Sequence, residues 1–340
     1  MKKTKKYWPK VKNVLGKIGR GVRRFWQGLA MTIGSLVLFF LIFSLLGGVG
    51  LPSAAGLTRA GISEEYITGE GEDKIALISL SGLILEEAEP LGPFSGGVRY
   101  ITPERVRELL QKAEEDEKVK GVILSLDSPG GSAVASDRIW EEIWQAKKPV
   151  VALLGDTVAS GGYFVAAAAD KIVASETTLT GSIGVIAEVY NLSDLYEKLG
   201  IKVEVFKKGE FKDILSEARE RTEEEKKMLD ELLSDAYELF LRRVSEGRGL
   251  KLEEVRELAE GKIYSGKKAF QLGLVDEIGN LDKAIEVVKE LCGIKQAKVF
   301  EYSKVSIWGS LFGGMGMGVL EKIFPRRVEG YPRVMYILEI

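Results

Sequence analysis

Ser160 lies in the run Gly-Asp-Thr-Val-Ala-Ser-Gly-Gly-Tyr at 155–163, between an apolar strand pattern at 149–154 and a small-residue helical run at 165–169. A serine placed where a strand hands over to a helix is placed for nucleophilic attack. The unpaired N–H groups of a helix N-terminus can stabilise an oxyanion, and glycines at 161 and 162 leave room for an approaching carbonyl. Taken alone, the run reads first as a glycine turn with a helix cap, because Ser and Gly are ordinary turn and cap residues. A second glycine turn changes this: Asp-Ser-Pro-Gly-Gly-Ser at 127–132 follows the strand pattern at 119–126 and precedes a helix starting near Ala133. Two such turns at the carboxyl ends of successive strands face one crevice. Gly130 and Gly131 would offer N–H groups to an oxyanion there, with Gly161 beside the nucleophile as a third donor.

The chain contains no histidine, which excludes a Ser-His-Asp triad, a Cys-His pair and histidine zinc sites together. The base for a serine hydrolase must then be a lysine, aspartate or glutamate. The single cysteine, Cys292, permits neither an intrachain disulfide nor a cysteine metal cluster and reads as a small buried residue of a helix. No metal and no cofactor are expected.

Three motifs, Ser-Pro-Gly-Gly at 128–131, Ala-Ser-Gly-Gly-Tyr at 159–163 and Leu-Thr-Gly-Ser-Ile-Gly-Val at 179–185, stand in an order and spacing that resemble the signal peptide peptidase A family. The resemblance covers roughly residues 74–290. It implies a membrane-bound serine protease with the layered α/β fold of Clp proteases and crotonases. It also implies a Ser-Lys dyad, whose lysine lies in a Lys-Asp-Ile-(Met/Leu)-Ser segment; Phe-Lys-Asp-Ile-Leu-Ser at 211–216 matches and makes Lys212 the candidate base. Ser182 matches a family position that could hydrogen-bond the lysine and so orient it, with an ordinary turn serine as the competing reading. An ordinary lysine, with a pKa of about 10.4, is neutral in only about one molecule in 2,500 at pH 7, so burial must lower it by about 2 to 4 units. Phe211, Ile214 and Leu215 are suitable apolar company, whereas Lys207 and Lys208 read as solvent-facing.

The surrounding chain divides by composition. Residues 1–28 carry ten Lys and Arg, no acid and several aromatics, forming a basic cytoplasmic arm for which nucleic-acid binding is the competing reading. No charge occurs from Leu29 to Thr58, and 29–50 is predicted to be a transmembrane anchor, because about 20 apolar residues span a bilayer core of about 30 Å. A cleaved signal peptide competes with that reading. The positive-inside rule places the arm in the cytoplasm and everything past a linker at 51–73 outside a single-pass cell membrane anchor, in contact with lipid. Removing the +10 arm from the total of −2 leaves −12 for residues 29–340, an acidic ectodomain that argues against nucleic acid.

The protease domain is assigned to 74–300 and an apolar tail to 301–340. Strand and helix patterns alternate from Lys74 through a last strand at 203–205, and the strands are continuous apolar runs, as expected when helices cover both sheet faces. Residues 207–221 interrupt the rhythm. A long helix follows from Thr222, where Glu225 completes a capping box, and its broad apolar face suits its own domain and a neighbour. The resemblance further implies a ring-like homo-oligomer in which serine and lysine come from adjacent chains. The expected activity is endoproteolysis of apolar peptides, such as signal peptide remnants. A crotonase-type acyl-CoA enzyme and a catalytically silent membrane scaffold are the alternatives. Residues after about Tyr331 resemble a substrate and are expected to reach the groove as an added strand.

Overall fold

The computed structural model describes residues 34–35, 62–87, 99–304 and 335–337, of which 303–304 and 335–337 are described as backbone. The basic arm, all but two residues of the expected membrane anchor, the start of the linker and most of the tail lie outside the described residues. Among the described residues no helix is long and apolar enough to cross a membrane. Gly61–Ile340 forms one compact unit, distinct from Met1–Ala60.

In that unit β1 (Ile62–Gly69), β2 (Lys74–Ser81), β3 (Leu83–Ile84), β4 (Tyr100–Ile101) and α1 (Pro103–Glu115) come first. Then follow β5 (Val119–Ser128), β6 (Gly130–Ser132), α2 (Ala133–Trp144), β7 (Val150–Ala159), α3 (Gly161–Ala166), β8 (Lys171–Ala174), β9 (Leu179–Gly181) and α4 (Ser193–Lys198). The chain continues with α5 (Glu223–Arg248), α6 (Leu252–Leu258), β10 (Ile263–Ser265), α7 (Gly266–Gln271), β11 (Glu277–Ile278), α8 (Leu281–Cys292), β12 (Lys298–Lys304) and β13 (Met335–Ile337).

The main sheet has the order β1-β12-β2-β5-β7-β8-β11, parallel throughout except for β1, with β9 beside the end of β7 and β10 antiparallel to β9. Its strands are apolar on both faces because both are covered. Ile75, Leu77, Ile123, Val151 and Val173 meet Ala284, Val287 and Val288 of α8 on one face. Ala76, Ile78, Leu80, Leu124 and Leu126 join the larger core with α1, α2, α3 and the C-terminal half of α5 on the other. The local start signals hold. Thr102 Oγ1 accepts the Arg105 N–H ahead of Pro103, and Thr222 and Glu225 form a reciprocal capping box at the head of α5.

One expected strand is absent. Residues 201–207 form no strand, and Ile201, Val203 and Val205 are each about half exposed, with Phe206 93% exposed. The alternation of apolar residues with Lys202 and Glu204 is a strand pattern, but it has no partner edge among the described residues, and an unpaired strand leaves its backbone N–H and C=O groups to water.

A smaller sheet, in the order β13-β6-β3-β4, stands at the carboxyl end of β5. In it the backbone of Met335–Ile337 pairs antiparallel with Gly130–Ser132, so the tail does reach this turn as an added strand.

Candidate active site

Ser160 sits between the end of β7 and the first residue of α3, with φ 53° and ψ −121°. Only one other non-glycine among the described residues has a positive φ, Ser182 at 49°. Such a conformation costs of order 1–3 kcal/mol and persists only where the surroundings over-determine it. Here the parallel β7–β9 ladder aligns Ala159 with Gly181, and the Ser160 N–H donates to the Gly181 carbonyl at 2.8 Å. The Ser182 N–H donates to the Lys262 carbonyl at 2.7 Å. The two serines therefore stand at the ends of adjacent strands, each held by main-chain hydrogen bonds.

The Ser160 hydroxyl is not spent on capping its helix. By contrast, the hydroxyls of Ser132 and Ser265 accept N–H groups of the helices they precede. The difference follows from the backbone: at ψ −121° the Ser160 side chain cannot fold back over α3 as an ordinary cap does.

Two glycines let the second turn close on this point. A Cβ at Gly162 would lie 2.6 Å from the Ser128 carbonyl oxygen, and one at Gly131, where φ is 152°, would lie 2.1 Å from the Ile84 carbonyl oxygen. β6 therefore lies against α3. Ser128, fully buried, locks the turn: its Oγ donates to the Gly82 carbonyl at 2.7 Å and accepts the Gly130 N–H at 3.1 Å. The Gly130 N–H is thus engaged inside its own turn. Gly161, as the first residue of α3, has an N–H with no intrahelical acceptor. Sequence reading missed Ser128, because Ser-Pro already reads as an ordinary turn.

Lys212 is not brought to this group. It lies in a turn at 210–215, its side chain is exposed, and no hydrogen bond links it to Ser160 or Ser182. The dry surroundings expected for it are absent among the described residues, where Phe211 and Ile214 are only half-buried and Leu215 is exposed. Lys207, expected to face solvent, is exposed and also pairs with Asp213 at 2.6 Å. Asp213 also holds Arg219 at 2.8 Å, and Arg219 pairs in turn with Glu225 of the capping box. Arg219 first and Lys207 second hold the Asp213 carboxyl well below the usual carboxylate range. Arg219, with help from the Thr222 N–H, brings Glu225 down to about 2. This clamp fixes the Lys-Asp-Ile segment to the head of α5. Its members are six residues apart, too far to touch along one helix or one extended strand, and so gave no signal in the sequence.

The Peptidase family S49 model matches residues 142–295 and the Clp protease model matches residues 97–179. A putative signal peptide peptidase SppA of Enterococcus faecium is 36% identical over 294 residues, 82% of this chain and 84% of that protein. The chloroplastic serine protease SPPA of Arabidopsis thaliana is 36% identical over 261 residues, 75% of this chain but 38% of that longer protein. A putative protease of Methanocaldococcus jannaschii is 35% identical over 302 residues, 85% of this chain and 93% of that one. With identity of this level along most of both chains, the glycine turns and the strained serine belong to a serine protease of peptidase family S49, the signal peptide peptidase A family.

Proposed function

We propose that this protein is an endopeptidase for apolar peptides in which Ser160 is the nucleophile and Lys212 of an adjacent copy is the base. The observation that carries the reading is the Ser160 backbone, held at positive φ with its hydroxyl left out of helix capping. Strain of this kind at a strand-to-helix turn presents a side chain to a crevice. Ser160 Oγ attacks the peptide carbonyl carbon and passes its proton to the neutral Lys212 amine. N–H groups of Gly161 and Gly131, with Gly130 if Ser128 releases it, receive the oxyanion. Lys212 then protonates the leaving amine as the C–N bond breaks, and water, deprotonated by the same lysine, releases the acyl group from Ser160. Ser182 would hold the lysine amine in line through its hydroxyl.

The shared site is supported by what this chain leaves exposed. Lys212, the alternating apolar residues of 201–205, and Met228 and Leu232 on the N-terminal half of α5 all face solvent. A neighbouring copy would bury these residues and desolvate the lysine, and an assembly of such copies closes as a homo-oligomer. The basic arm and uncharged run at 1–50 support an anchored ectodomain lying against lipid; protease added to intact cells should then reach residues past 60.

Labelling with a serine-reactive fluorophosphonate tests the chemistry. Wild type should label and cleave an apolar reporter peptide, Ser160→Ala should do neither, and Lys212→Ala should lose cleavage. A Ser160→Ala protein that still labels and cleaves removes the assignment.

A further inference from the structure

We infer that Tyr163, Arg248 and Asp276 are positioning residues of the nucleophile: together they form a buried polar bracket that fixes the tilt of α3, and with it the strained backbone of Ser160 and the aim of the Gly161 N–H. The inference deepens the reading of Ser160 as nucleophile and rests on it.

α3 is six residues long, too short to hold its own direction, so its orientation comes from what it touches. Its first turn carries the chemistry, because Ser160 immediately precedes it and the Phe164 N–H donates to the Ser160 carbonyl at 2.9 Å. Tyr163, in the same turn, is fully buried, and its hydroxyl donates to the Leu274 carbonyl at 2.8 Å. Burial pushes this phenol far above its ordinary pKa, with Arg248 beside it opposing and Asp276 adding, so the proton stays on the oxygen and the bond keeps its direction.

Leu274 is itself fixed. Two residues on, the Asp276 carboxylate accepts the Ile172 N–H at 2.8 Å while the Asp276 N–H donates to the Ile172 carbonyl at 2.9 Å, which ties 274–276 to β8. The same carboxylate accepts Lys171 Nζ at 3.0 Å and Arg248 Nη2 at 2.5 Å. Arg248 is the last residue of α5, and its side chain is only 5% exposed. One residue earlier, a Cβ at Gly247 would lie 1.8 Å from the Ala167 carbonyl oxygen, so the α5 backbone rests directly on the far end of α3. The serine helix is therefore held from β8 through Asp276 and Leu274, and from α5 through Arg248 and Gly247.

A buried ion pair contributes little net stability, because desolvation of two charges offsets their attraction. Arg248 Nε adds a further cost, since it is enclosed with no acceptor among the described residues. What the charged set supplies is direction: hydrogen bonds hold Tyr163 along one line, whereas apolar packing alone lets a short helix rock. A misplacement of about 1 Å at a reacting group costs about 10²-fold in rate. None of the three belongs to the groups proposed to meet the peptide, so their effect falls on kcat and not on KM.

The test compares wild type with Tyr163→Phe, Arg248→Met and, as a control, Tyr237→Phe. Tyr163→Phe removes one hydroxyl and keeps the ring. Arg248→Met leaves Asp276 paired with Lys171 and the Ile172 N–H. Tyr237 of α5 makes the same kind of bond, from its hydroxyl to a carbonyl at 2.8 Å, but to Ala259 at the end of α6. With an apolar reporter peptide, Tyr163→Phe should lower kcat about tenfold and Arg248→Met about 10- to 100-fold, with KM changed less than about twofold, while Tyr237→Phe should match wild type. The rate of fluorophosphonate labelling, which needs no peptide, should fall by the same factors. Labelling carried to completion counts the competent sites. A full complement of sites reacting slowly is the expected result; fewer sites reacting at the wild-type rate would mean partial unfolding and overturns the inference. Wild-type kcat in either Tyr163→Phe or Arg248→Met, or an equal loss in Tyr237→Phe, also overturns it. Should wild type itself neither label nor cleave, the nucleophile reading has failed, and amide hydrogen exchange over residues 160–169 decides the bracket: faster exchange there in Tyr163→Phe and Arg248→Met but not in Tyr237→Phe supports it, and unchanged exchange overturns it.

Discussion

The backbone N–H of Ser160 donates to the carbonyl oxygen of Gly181 across 2.8 Å, and the next residue after Gly181 is Ser182, among the described residues the other non-glycine held at positive φ. One main-chain hydrogen bond therefore couples the candidate nucleophile to the candidate lysine orienter. A shift of β9 against β7 moves both.

Relief of strain at Ser160 should be measurable apart from loss of activity. Ser160→Ala and Ser160→Gly both remove the hydroxyl, but only glycine adopts φ 53° without steric cost. Ser160→Gly should be at least as stable as Ser160→Ala, by about 1 kcal/mol after allowing for the flexibility glycine adds to the unfolded chain. Urea denaturation of the two inactive variants checks this; a clearly more stable alanine variant would mean that the surroundings no longer hold the backbone at positive φ.

Ser182→Gly keeps the positive φ and removes only the side chain. If the hydroxyl orients the lysine, kcat should fall about tenfold or more with KM little changed, since one lost hydrogen bond of about 1.4 kcal/mol in the transition state gives that factor. Steady-state kinetics with unchanged kcat would leave Ser182 a turn residue.

Phe240 of α5 packs on Phe164 of α3 with ring centroids 4.9 Å apart, and both are fully buried. Phe240→Ala should cost about 3–5 kcal/mol in stability by thermal or urea unfolding. It should also lower kcat, because α3 carries the serine turn; Leu241→Met, a volume-conserving change at the next buried residue, should cost less than about 1.5 kcal/mol.

The sequence was most readable where a local rule determines the local structure. Thr102 with Pro103, Thr222 with Glu225, and the apolar runs of β5 and β7 each specify an element without reference to the rest of the chain. The two glycine turns were readable as partners because the parallel strand order puts both at the same sheet edge. What stayed hidden depends on distant contacts. The Ser182 N–H is held by the Lys262 carbonyl across the β9–β10 pair, the Ser128 lock depends on Gly82, and the Asp213–Arg219–Glu225 clamp joins residues too far apart to meet within one helix turn or strand. The failed strand at 203–205 had the correct pattern, and no partner edge for it occurs among the described residues.

The clamp gives a pH dependence with a definite sign. Both carboxyls are lowered in the folded protein, Glu225 to about 2, so their stabilisation is fully present above their unfolded values near 4 and is lost as pH falls through about 2. Pepsin, which works in acid, should cut at Phe211 or Leu215 slowly at about pH 4 and rapidly near pH 2. Equal cutting at both would show that the clamp does not hold this segment. Arg219→Met should bring the fast cutting up to pH 4 and, by displacing Lys212, lower kcat about 10- to 100-fold.

The last prediction separates a shared dyad from one within a single chain. Ser160 is buried at the end of β7, whereas Lys212 is exposed in a turn that the clamp ties to α5 and not to the serine. If Lys212 serves the serine of a neighbour, a mixture of Ser160→Ala and Lys212→Ala proteins contains interfaces that join an intact serine to an intact lysine. With equal amounts and random exchange, about a quarter of all sites are complete, so roughly a quarter of the wild-type rate should return. Exchange is followed by mixing differently labelled subunits and measuring energy transfer, and activity is assayed on the same sample. If each dyad is built within one chain, every site in every mixture lacks one member and the rate stays at zero. Complete exchange with no recovered cleavage would therefore return Lys212 to its own chain and require the 184–221 segment to fold back over β9 before catalysis.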